Sequence, residues 1–206
     1  MGVGKLGLNK KPDDIPSKQA CAAIGQCELM YTYDKLFQEY NHTVAQMLMT
    51  GADFENEERH TNFDNTLNRL LEFGVLPIIN ENDTIATSEI KVGDNDTLSA
   101  IIATSANADM LILLSDIDGL YTADPRKDAN ATLIPTVKEI NENIMNLAGA
   151  AGTSRGTGGM VTKLHAAQLC MNAGIDMIIA NGSNPEVLYD IFDGKSVGTR
   201  FTGKEN

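Results

Sequence analysis

Basic residues are scarce in this sequence, which has 16 lysines and arginines against 28 aspartates and glutamates and a net charge of −12. Nucleic acids and anionic membranes are bound through basic faces, so the sequence argues against both as main partners. It also lacks a run of 18 apolar residues and an N-terminal signal pattern, so nothing in it indicates export or a membrane span. A small substrate that carries its own cation is compatible with such an acidic protein.

Cysteine and histidine are also rare. Cys21, Cys27 and Cys170 are odd in number and lie among apolar neighbours, a pattern typical of reduced core thiols, so the sequence predicts a cytoplasmic protein. The three histidines show no ligand spacing with one another or with the cysteines, so no zinc site is predicted.

What the sequence does contain is an alternation of apolar strands and helices, with 42% hydrophobic residues, enough for a sizeable core. Alternation of this kind predicts one α/β domain with a mostly parallel sheet that helices cover on both faces. Ser17 is the predicted N-cap of the first helix, and Gly25 is expected to break or closely pack it. Strands are predicted at residues 43–49, 75–79, 110–114, 175–180 and 197–201, the last at a sheet edge. Helices are predicted to begin after residues 16, 66, 96, 137, 159 and 184. Residues 1–8 are predicted to form a loop and residues 51–58 a turn.

Polar clusters follow the predicted strand at residues 75–79. Residues 80–83 (Asn-Glu-Asn-Asp) come directly after it, and residues 93–96 (Gly-Asp-Asn-Asp) precede the next helix, with Asp96 as its predicted N-cap. Open α/β sheets bind ligands beyond the carboxyl ends of their strands. Either cluster alone could be a turn or a cap, because Asn and Asp dominate turns for local reasons. Two clusters in one crossover favour a site.

Two further stretches have the composition of ligand-binding loops. Residues 115–119 (Ser-Asp-Ile-Asp-Gly) follow a fully apolar strand; they match the start of a calcium loop but lack its later ligands. Residues 149–159 are rich in glycine and lead into a helix, which predicts an anion site at the helix N-terminus. Lys163 lies in the first turn of that helix, where a cation is unfavourable unless an anion is near. The alternative is a surface lysine beside a flexible loop.

Four motifs in order, supported by residues 19–26 (QACAAIGQ), resemble one known group of enzymes. They are PIINEND at residues 77–83, KVGDNDTLSA at 91–100, SDIDGLYTADP at 115–125 and GTGGMVTK at 156–163. On these motifs the chain resembles the glutamate 5-kinases of the amino-acid kinase family. The resemblance implies a three-layer αβα sandwich with a mostly parallel central sheet. It also implies ATP-dependent phosphorylation of the γ-carboxylate of L-glutamate, which gives γ-glutamyl phosphate for proline biosynthesis.

The resemblance also implies a role for individual residues and for the cofactors ATP and Mg²⁺, the metal being carried by ATP rather than held by the protein. The catalytic residues are Lys163, on the transferring phosphate, and Asp96. Glutamate is bound by Asp83, Asn82, Asn95 and Asp96, and ATP by Ser115, Asp116, Thr157, Gly158, Gly159, Met160, Val161, Thr162 and Lys163. A γ-carboxylate has a pKa near 4.3, so at neutral pH it is already a nucleophile and needs no general base.

The implied partners are glutamate and ATP, proline as a feedback inhibitor, glutamyl phosphate reductase and further copies of the chain. Family members usually begin with a strand that carries a lysine and a phosphate loop, and many end in a PUA domain. We therefore expect residues 1–206 to form one amino-acid kinase domain without those N-terminal strands and without a PUA domain.

Three alternatives stay open on the sequence alone. One is an inactive fragment or ligand-binding subunit. Another is a sister kinase that acts on a different acid or on a nucleoside monophosphate. The last is a dinucleotide-binding domain, because Gly2, Gly4 and Gly7 match G-x-G-x-x-G, although no strand precedes them.

Overall fold

The computed structural model describes residues 1–86, 94–150 and 159–203, and the chain divides into two compact units, Met1–Val92 and Gly93–Asn206. The first unit contains α1 (Gly2–Lys5), α2 (Ile15–Gln38), β1 (Val44–Met49), α3 (Gly51–Glu55), α4 (Glu57–Glu72) and β2 (Leu76–Glu81). The second contains α5 (Asn95–Ser105), β3 (Met110–Ser115), β4 (Thr136–Val137), α6 (Glu142–Ala150), α7 (Met160–Asn172), β5 (Asp176–Asn181), α8 (Val187–Phe192) and β6 (Thr199–Phe201). Within these ranges, none of the helices combines the length and apolar character that crossing a bilayer requires.

The first unit is built on two parallel strands. β1 pairs with β2 in a register that runs from Val44 opposite Leu76 to Met49 opposite Glu81, and α4 connects the two strands. Phe63 and Leu67 of α4 are buried, which gives this helix an apolar face. Gly74, with a φ of 68°, follows the last turn of α4, as the sequence predicted, because glycine adopts this conformation without strain.

Three predictions for the first unit were wrong at the level of local structure. Residues 2–5 form the short helix α1 rather than a loop. The N-cap of α2 is Asp14 rather than Ser17: the Asp14 side chain accepts a hydrogen bond of 2.8 Å from the Ser17 N–H. Residues 51–58 contain α3 and the start of α4 rather than a turn, because Thr50 and Asp53 form a capping box.

Gly25 of α2 is a point of close packing, as expected. A Cβ atom at this position would lie 3.0 Å from the backbone nitrogen of Gly2. The glycine therefore lets α1 approach α2 through its backbone.

The second unit contains a four-stranded sheet in the order β3-β5-β6-β4. β3 is parallel to β5 and β4 is parallel to β6, whereas β5 and β6 are antiparallel. The prediction that residues 197–201 form an edge strand was wrong, because the short strand β4, which the sequence did not predict, pairs with the outer side of β6. The mostly parallel character of the sheets was predicted correctly.

Helices cover both faces of this sheet at β5. Met177 and Ile179 belong to a core cluster with Ala100 of α5 and Leu164 of α7. The alternate residues of the strand, Ile178 and Ala180, instead pack in a second cluster with Ile191 of α8. Since successive side chains of a strand point to opposite faces, the second unit has the αβα layering that the sequence predicted.

The cysteines are all free thiols, but they do not all lie in the core. Cys21 and Cys170 are buried, and burial raises the pKa of the Cys170 thiol to about 11. Cys27 is exposed on α2, which contradicts the prediction that all three are core thiols. Ala23 and Tyr31, four residues before and after Cys27, lie on the same face of the helix and are exposed as well.

A buried hydroxyl ties β6 to the long connection between β3 and β4. Thr199 is completely buried; its Oγ1 accepts a hydrogen bond of 2.8 Å from the Leu120 N–H and donates one of 2.7 Å to the Ile134 carbonyl. A Cβ atom on Gly119 would lie 2.5 Å from this oxygen, so glycine is required beside it. Thr199 therefore fixes both ends of residues 120–134.

We expect the Thr199→Val variant to lose about 2–4 kcal/mol of unfolding free energy, because it leaves the buried Leu120 N–H and Ile134 carbonyl without partners. Urea denaturation followed by circular dichroism measures the loss. Thr136→Val, on the exposed side of β4, is the matched control and should change stability by less than about 0.5 kcal/mol. Equal effects of the two substitutions would contradict a structural role for the Thr199 hydroxyl.

Candidate active site

The start of α5 supplies one half of the candidate site in the second unit. Asp94 is the N-cap of this helix, and its side chain accepts a hydrogen bond of 2.8 Å from the Thr97 N–H. The prediction that Asp96 is the cap was therefore wrong. Asp96 lies in the first turn, and its carboxylate is available for other partners because Asp94 already satisfies the helix end.

The other half is the start of α7. The Lys163 side chain is 9% exposed, and its ammonium lies 3.0 and 3.2 Å from the two carboxylate oxygens of Asp96, which is 16% exposed. The Thr162 hydroxyl lies 2.8 Å from Asp96 and 2.7 Å from the Gly159 carbonyl, and it donates its one proton to either. A largely buried ion pair thus joins the first turns of two helices.

The pair resolves an electrostatic conflict at α7. A lysine in the first turn of a helix lies near the positive end of the helix dipole, and the N-cap Gly159 offers no side chain to the first N–H groups. The sequence predicts an anion bound near Lys163, and that remains a prediction; in the structure the Asp96 carboxylate lies beside the ammonium. The exposed-lysine alternative is excluded, since Lys163 is among the buried residues.

The described residues contain only part of the predicted ATP loop. Gly159, Met160, Val161 and Thr162 begin α7 next to Lys163, whereas Thr157 and Gly158 lie outside the described residues. Helix N-termini bind phosphates through unpaired N–H groups, so this end of α7 is chemically suited to an anion.

The carboxyl ends of β3 and β5 carry a second polar cluster. Ser115, the last residue of β3, is paired in register with Asn181 of β5, and its hydroxyl donates a hydrogen bond of 3.3 Å to Asp116. The Asn181 amide and the Tyr121 hydroxyl each donate a hydrogen bond of 2.8 Å to Asp118. These bonds, with that from Asn181 as the largest cause, hold the pKa of the Asp118 carboxyl below its usual value.

Asp118, Tyr121 and Asn181 are not among the site residues that the sequence predicts. Asp118 lies in the polar stretch at residues 115–119 without a predicted role, and the last parallel strand is predicted to end one residue before Asn181. The rule that found Ser115 and Asp116, namely polar residues directly after a buried strand, applies equally to Asn181. Asn181 and Asp118 are 63 residues apart in sequence, so no local pattern predicts the hydrogen bond between them.

In the first unit, the predicted glutamate residues Asn82 and Asp83 line a pocket of about 210 Å³. Asn80, the first polar residue after the apolar part of β2, and Gln26 of α2 line the same pocket and are joined by a hydrogen bond of 3.2 Å. Asn82 is held by its own N–H, which donates a hydrogen bond of 2.6 Å to the Met49 carbonyl. Gln26 also lines the pocket; in the sequence it is only the last residue of the supporting motif at residues 19–26.

Asn95, the remaining predicted glutamate residue, is the first residue of α5 in the second unit, and its side chain is exposed. Among the residues that the structure describes, no group of three or more His, Cys, Asp or Glu side chains has the arrangement of a metal site.

Comparison with known proteins decides the family. The model of the amino acid kinase family matches residues 4–181. The chain belongs to the amino acid kinase family.

Three relatives are 50% to 55% identical to the chain over the aligned residues. Glutamate 5-kinase of Clostridium perfringens (strain 13 / Type A) is 54% identical over 209 residues, which cover 100% of this chain and 78% of that protein. Glutamate 5-kinase of Clostridium tetani (strain Massachusetts / E88) is 55% identical over 200 residues, covering 97% and 75%. The enzyme of Caldanaerobacter subterraneus subsp. tengcongensis is 50% identical, and the chain spans only 55% of its length.

Two solved structures share the fold of this chain at low sequence identity. An isopentenyl phosphate kinase matches 98% of this chain and 78% of its own with a TM-score of 0.62 and 18% identity. UMP kinase from Ureaplasma parvum matches 97% and 75% with a TM-score of 0.58 and 15% identity. The amino-acid kinase fold that the motifs implied is therefore confirmed.

We expect Asp96→Asn to destabilise the protein by about 3 kcal/mol, because it leaves the buried ammonium of Lys163 without a counter-charge. Adding Lys163→Met to this variant removes the unpaired ammonium. The double variant should therefore lose less unfolding free energy than the two single variants lose in sum. Urea unfolding of the four proteins gives the coupling energy.

Asp109→Asn, on the exposed residue before β3, is the control for loss of a carboxylate and should be neutral within about 0.5 kcal/mol. Strict additivity of Asp96→Asn and Lys163→Met would rule out an energetic link between the two helix starts.

The lowered pKa of Asp118 predicts a pH-dependent contribution to stability. A carboxyl whose pKa is lower in the folded state stabilises the protein above its unfolded pKa, near 3.9, and loses that effect as the pH falls through the folded pKa. Asp118→Asn should therefore reduce the urea midpoint at pH 6, and the gap to the unmodified chain should narrow below pH 4. Asp109→Asn serves again as control, and a gap that is constant with pH would contradict the assignment.

Proposed function

We propose that this chain catalyses the glutamate 5-kinase reaction, in which the γ-phosphoryl group of ATP passes to the γ-carboxylate of L-glutamate. The observation that carries the proposal is the ion pair of Asp96 and Lys163 at the start of α7, within a chain more than half identical to enzymes of that name. The product is γ-glutamyl phosphate, the first intermediate of proline biosynthesis.

The reaction requires little covalent chemistry from the protein. A carboxylate oxygen of glutamate attacks the γ-phosphorus, the bond to the bridging oxygen breaks, and ADP leaves with that electron pair. The carboxylate is ionised at neutral pH, so no proton is removed. The obstacle is repulsion between an anionic nucleophile and the phosphates, so catalysis depends on positioning and on positive charge.

Lys163 supplies that charge in the proposal. Its ammonium is held by both Asp96 oxygens and is largely withdrawn from water, which strengthens its attraction for an anion and reduces reorganisation during the reaction. Asp96 acts through Lys163 in this scheme: it fixes the ammonium, while the Thr162 hydroxyl helps to satisfy its oxygens. Mg²⁺ enters with ATP and offsets further phosphate charge.

The nucleotide is proposed to contact two places in the second unit. In this proposal the N–H groups of Gly159, Met160 and Val161, at the uncapped start of α7, bind the phosphates. The resemblance assigns Thr157 and Gly158, which lie outside the described residues, to the same role. Ser115 and Asp116, at the carboxyl end of β3, bind the remainder of ATP. Ligands of parallel sheets bind beyond this edge, which supports the assignment.

The amino acid is proposed to bind through Asn82 and Asp83 in the first unit, with Asn95 and Asp96 as further contacts. Asp83 supplies a negative charge for the substrate ammonium. The described lining of the pocket beside Asn82 contains no lysine or arginine side chain. This argues against a phosphorylated acceptor and disfavours a sister kinase that acts on a phosphate ester.

The remaining roles are also proposals. We infer a homo-oligomeric, cytoplasmic enzyme that proline inhibits and whose product is passed to glutamyl phosphate reductase. The three free cysteines support a reducing compartment.

The test is release of ADP from ATP and Mg²⁺ in the presence of L-glutamate. Lys163→Ala should lower kcat about 1,000-fold, because it removes the fixed positive charge from the transferring phosphate. Lys138→Ala, at an exposed lysine of the second unit, is the control for loss of a cation and should leave kcat unchanged.

Aspartate and N-acetylglutamate should not support ADP release. Turnover of another acceptor in place of glutamate would overturn the substrate assignment, and full activity of Lys163→Ala would overturn the role of the ion pair.

A further inference from the structure

The Thr162 hydroxyl connects the start of α7 to Asp96 of α5. It lies 2.7 Å from the Gly159 carbonyl, three residues earlier in the chain, and 2.8 Å from Asp96 Oδ2, 66 residues away in sequence. A carbonyl three or four residues earlier is the ordinary local partner of a threonine in a helix. The contact with Asp96 is therefore one that the packing of α5 beside α7 adds.

The single proton of this hydroxyl can be donated to only one of the two oxygens at a time. If it pointed at Gly159, the Thr162 oxygen would face Asp96 Oδ2 at 2.8 Å with no hydrogen between them. A hydrogen bond to a carboxylate is also stronger than one to a neutral carbonyl. The Gly159 carbonyl has a second donor in the Lys163 N–H, at 3.4 Å. These contacts favour donation from Thr162 to Asp96.

This preference limits what the side chain of Thr162 can offer a nucleotide. Ionised phosphate oxygens only accept hydrogen bonds, so a phosphate contact needs a donor that is not already engaged. Both acceptors near the Thr162 proton belong to the protein. The group of Thr162 that suits a phosphate is instead its backbone N–H in the first turn of α7.

Asp96 needs a second donor during the proposed reaction. Its Oδ2 atom accepts hydrogen bonds from Lys163 at 3.0 Å and from Thr162 at 2.8 Å. A phosphate that binds the Lys163 ammonium competes with Asp96 for its protons, and a largely buried carboxylate that loses a donor is destabilised. A hydroxyl that stays on Oδ2 reduces this loss without adding charge.

We propose that Thr162 is a positioning residue: its hydroxyl holds the Asp96 carboxylate in place while the Lys163 ammonium is shared with the transferring phosphate. This inference rests on the proposed function, because it concerns the ion pair of the same site. The ammonium is drawn from Asp96 most strongly in the transition state, when charge develops on the transferring group. The hydroxyl therefore acts on kcat rather than on the KM for ATP.

The test compares Thr162→Val, which keeps the shape of the side chain without the hydroxyl, with Thr162→Ser, which keeps the hydroxyl. With ATP, Mg²⁺ and L-glutamate, Thr162→Val should lower kcat about tenfold and leave the KM for ATP within about twofold. Thr162→Ser should keep kcat within about threefold of the unmodified chain. Thr104→Val is the matched control and should change neither constant, because the Thr104 hydroxyl donates to a carbonyl of its own helix, that of Ala100 at 3.0 Å.

Three results in an active chain would overturn the inference. A raised KM for ATP at unchanged kcat would assign the hydroxyl to the nucleotide. A kcat of Thr162→Val equal to that of Thr104→Val would remove its role, and equally low kcat values for Thr162→Val and Thr162→Ser would show that the hydroxyl is not the group that matters. If Thr162→Val does not fold, Thr162→Ala takes its place, because it differs from Thr162→Ser by the hydroxyl alone.

A measurement of stability separates this inference from the proposed function. If the unmodified chain releases no ADP with glutamate, the proposed function fails, and the inference is judged by urea unfolding of Thr162→Val, Asp96→Asn and the double variant. A combined loss of unfolding free energy smaller than the sum of the single losses supports the assignment of the hydroxyl to Asp96. Additive losses overturn it.

Discussion

The ion pair between Asp96 and Lys163 is the constraint on which the second unit depends. A lysine buried in the first turn of a helix is unfavourable twice, because it loses water and because it faces the positive end of the helix dipole. The carboxylate of Asp96 compensates both effects and is 3.0 Å away. It can do so because Asp94 takes the cap of α5. Asp94 and Asp96, two residues apart and with different roles, therefore bring the starts of α5 and α7 together and leave a fixed cation beside an uncapped helix end.

Side-chain hydrogen bonds also hold the loop that follows β3. Asn181 extends from β5 to Asp118, and Thr199 extends from β6 to the Leu120 N–H. In each case a strand residue holds the loop that follows β3, so Ser115 and Asp116 stand on a connection that is fixed from two neighbouring strands. This rigidity favours the nucleotide contact that we propose for Ser115 and Asp116, since a loop that had to order on binding would lose affinity.

Much of this arrangement can be predicted from short stretches of the sequence. Apolar runs predicted β1, β2, β3 and β5 to within two residues at each end, and polar residues such as Asn82, Asp83, Ser115 and Asp116 follow the carboxyl ends of β2 and β3. The wrong predictions concern choices between neighbours. Asp94 and Asp96 are equally good caps by residue type, and only the position of Lys163, 67 residues from Asp96, decides between them. The place of β6 was likewise set by the distant strand β4, and the exposure of Cys27 by the face of α2 that it occupies.

The lack of lysine and arginine side chains in the described lining of the Asn82 pocket suits the acyl phosphate synthesis that we propose for this chain. A lysine paired with the attacking carboxylate would lower its nucleophilicity, whereas a cation on the phosphates lowers the repulsion that the nucleophile must overcome. An enzyme of this kind gains by placing its buried cation with the phosphates, which is the role that we propose for Lys163.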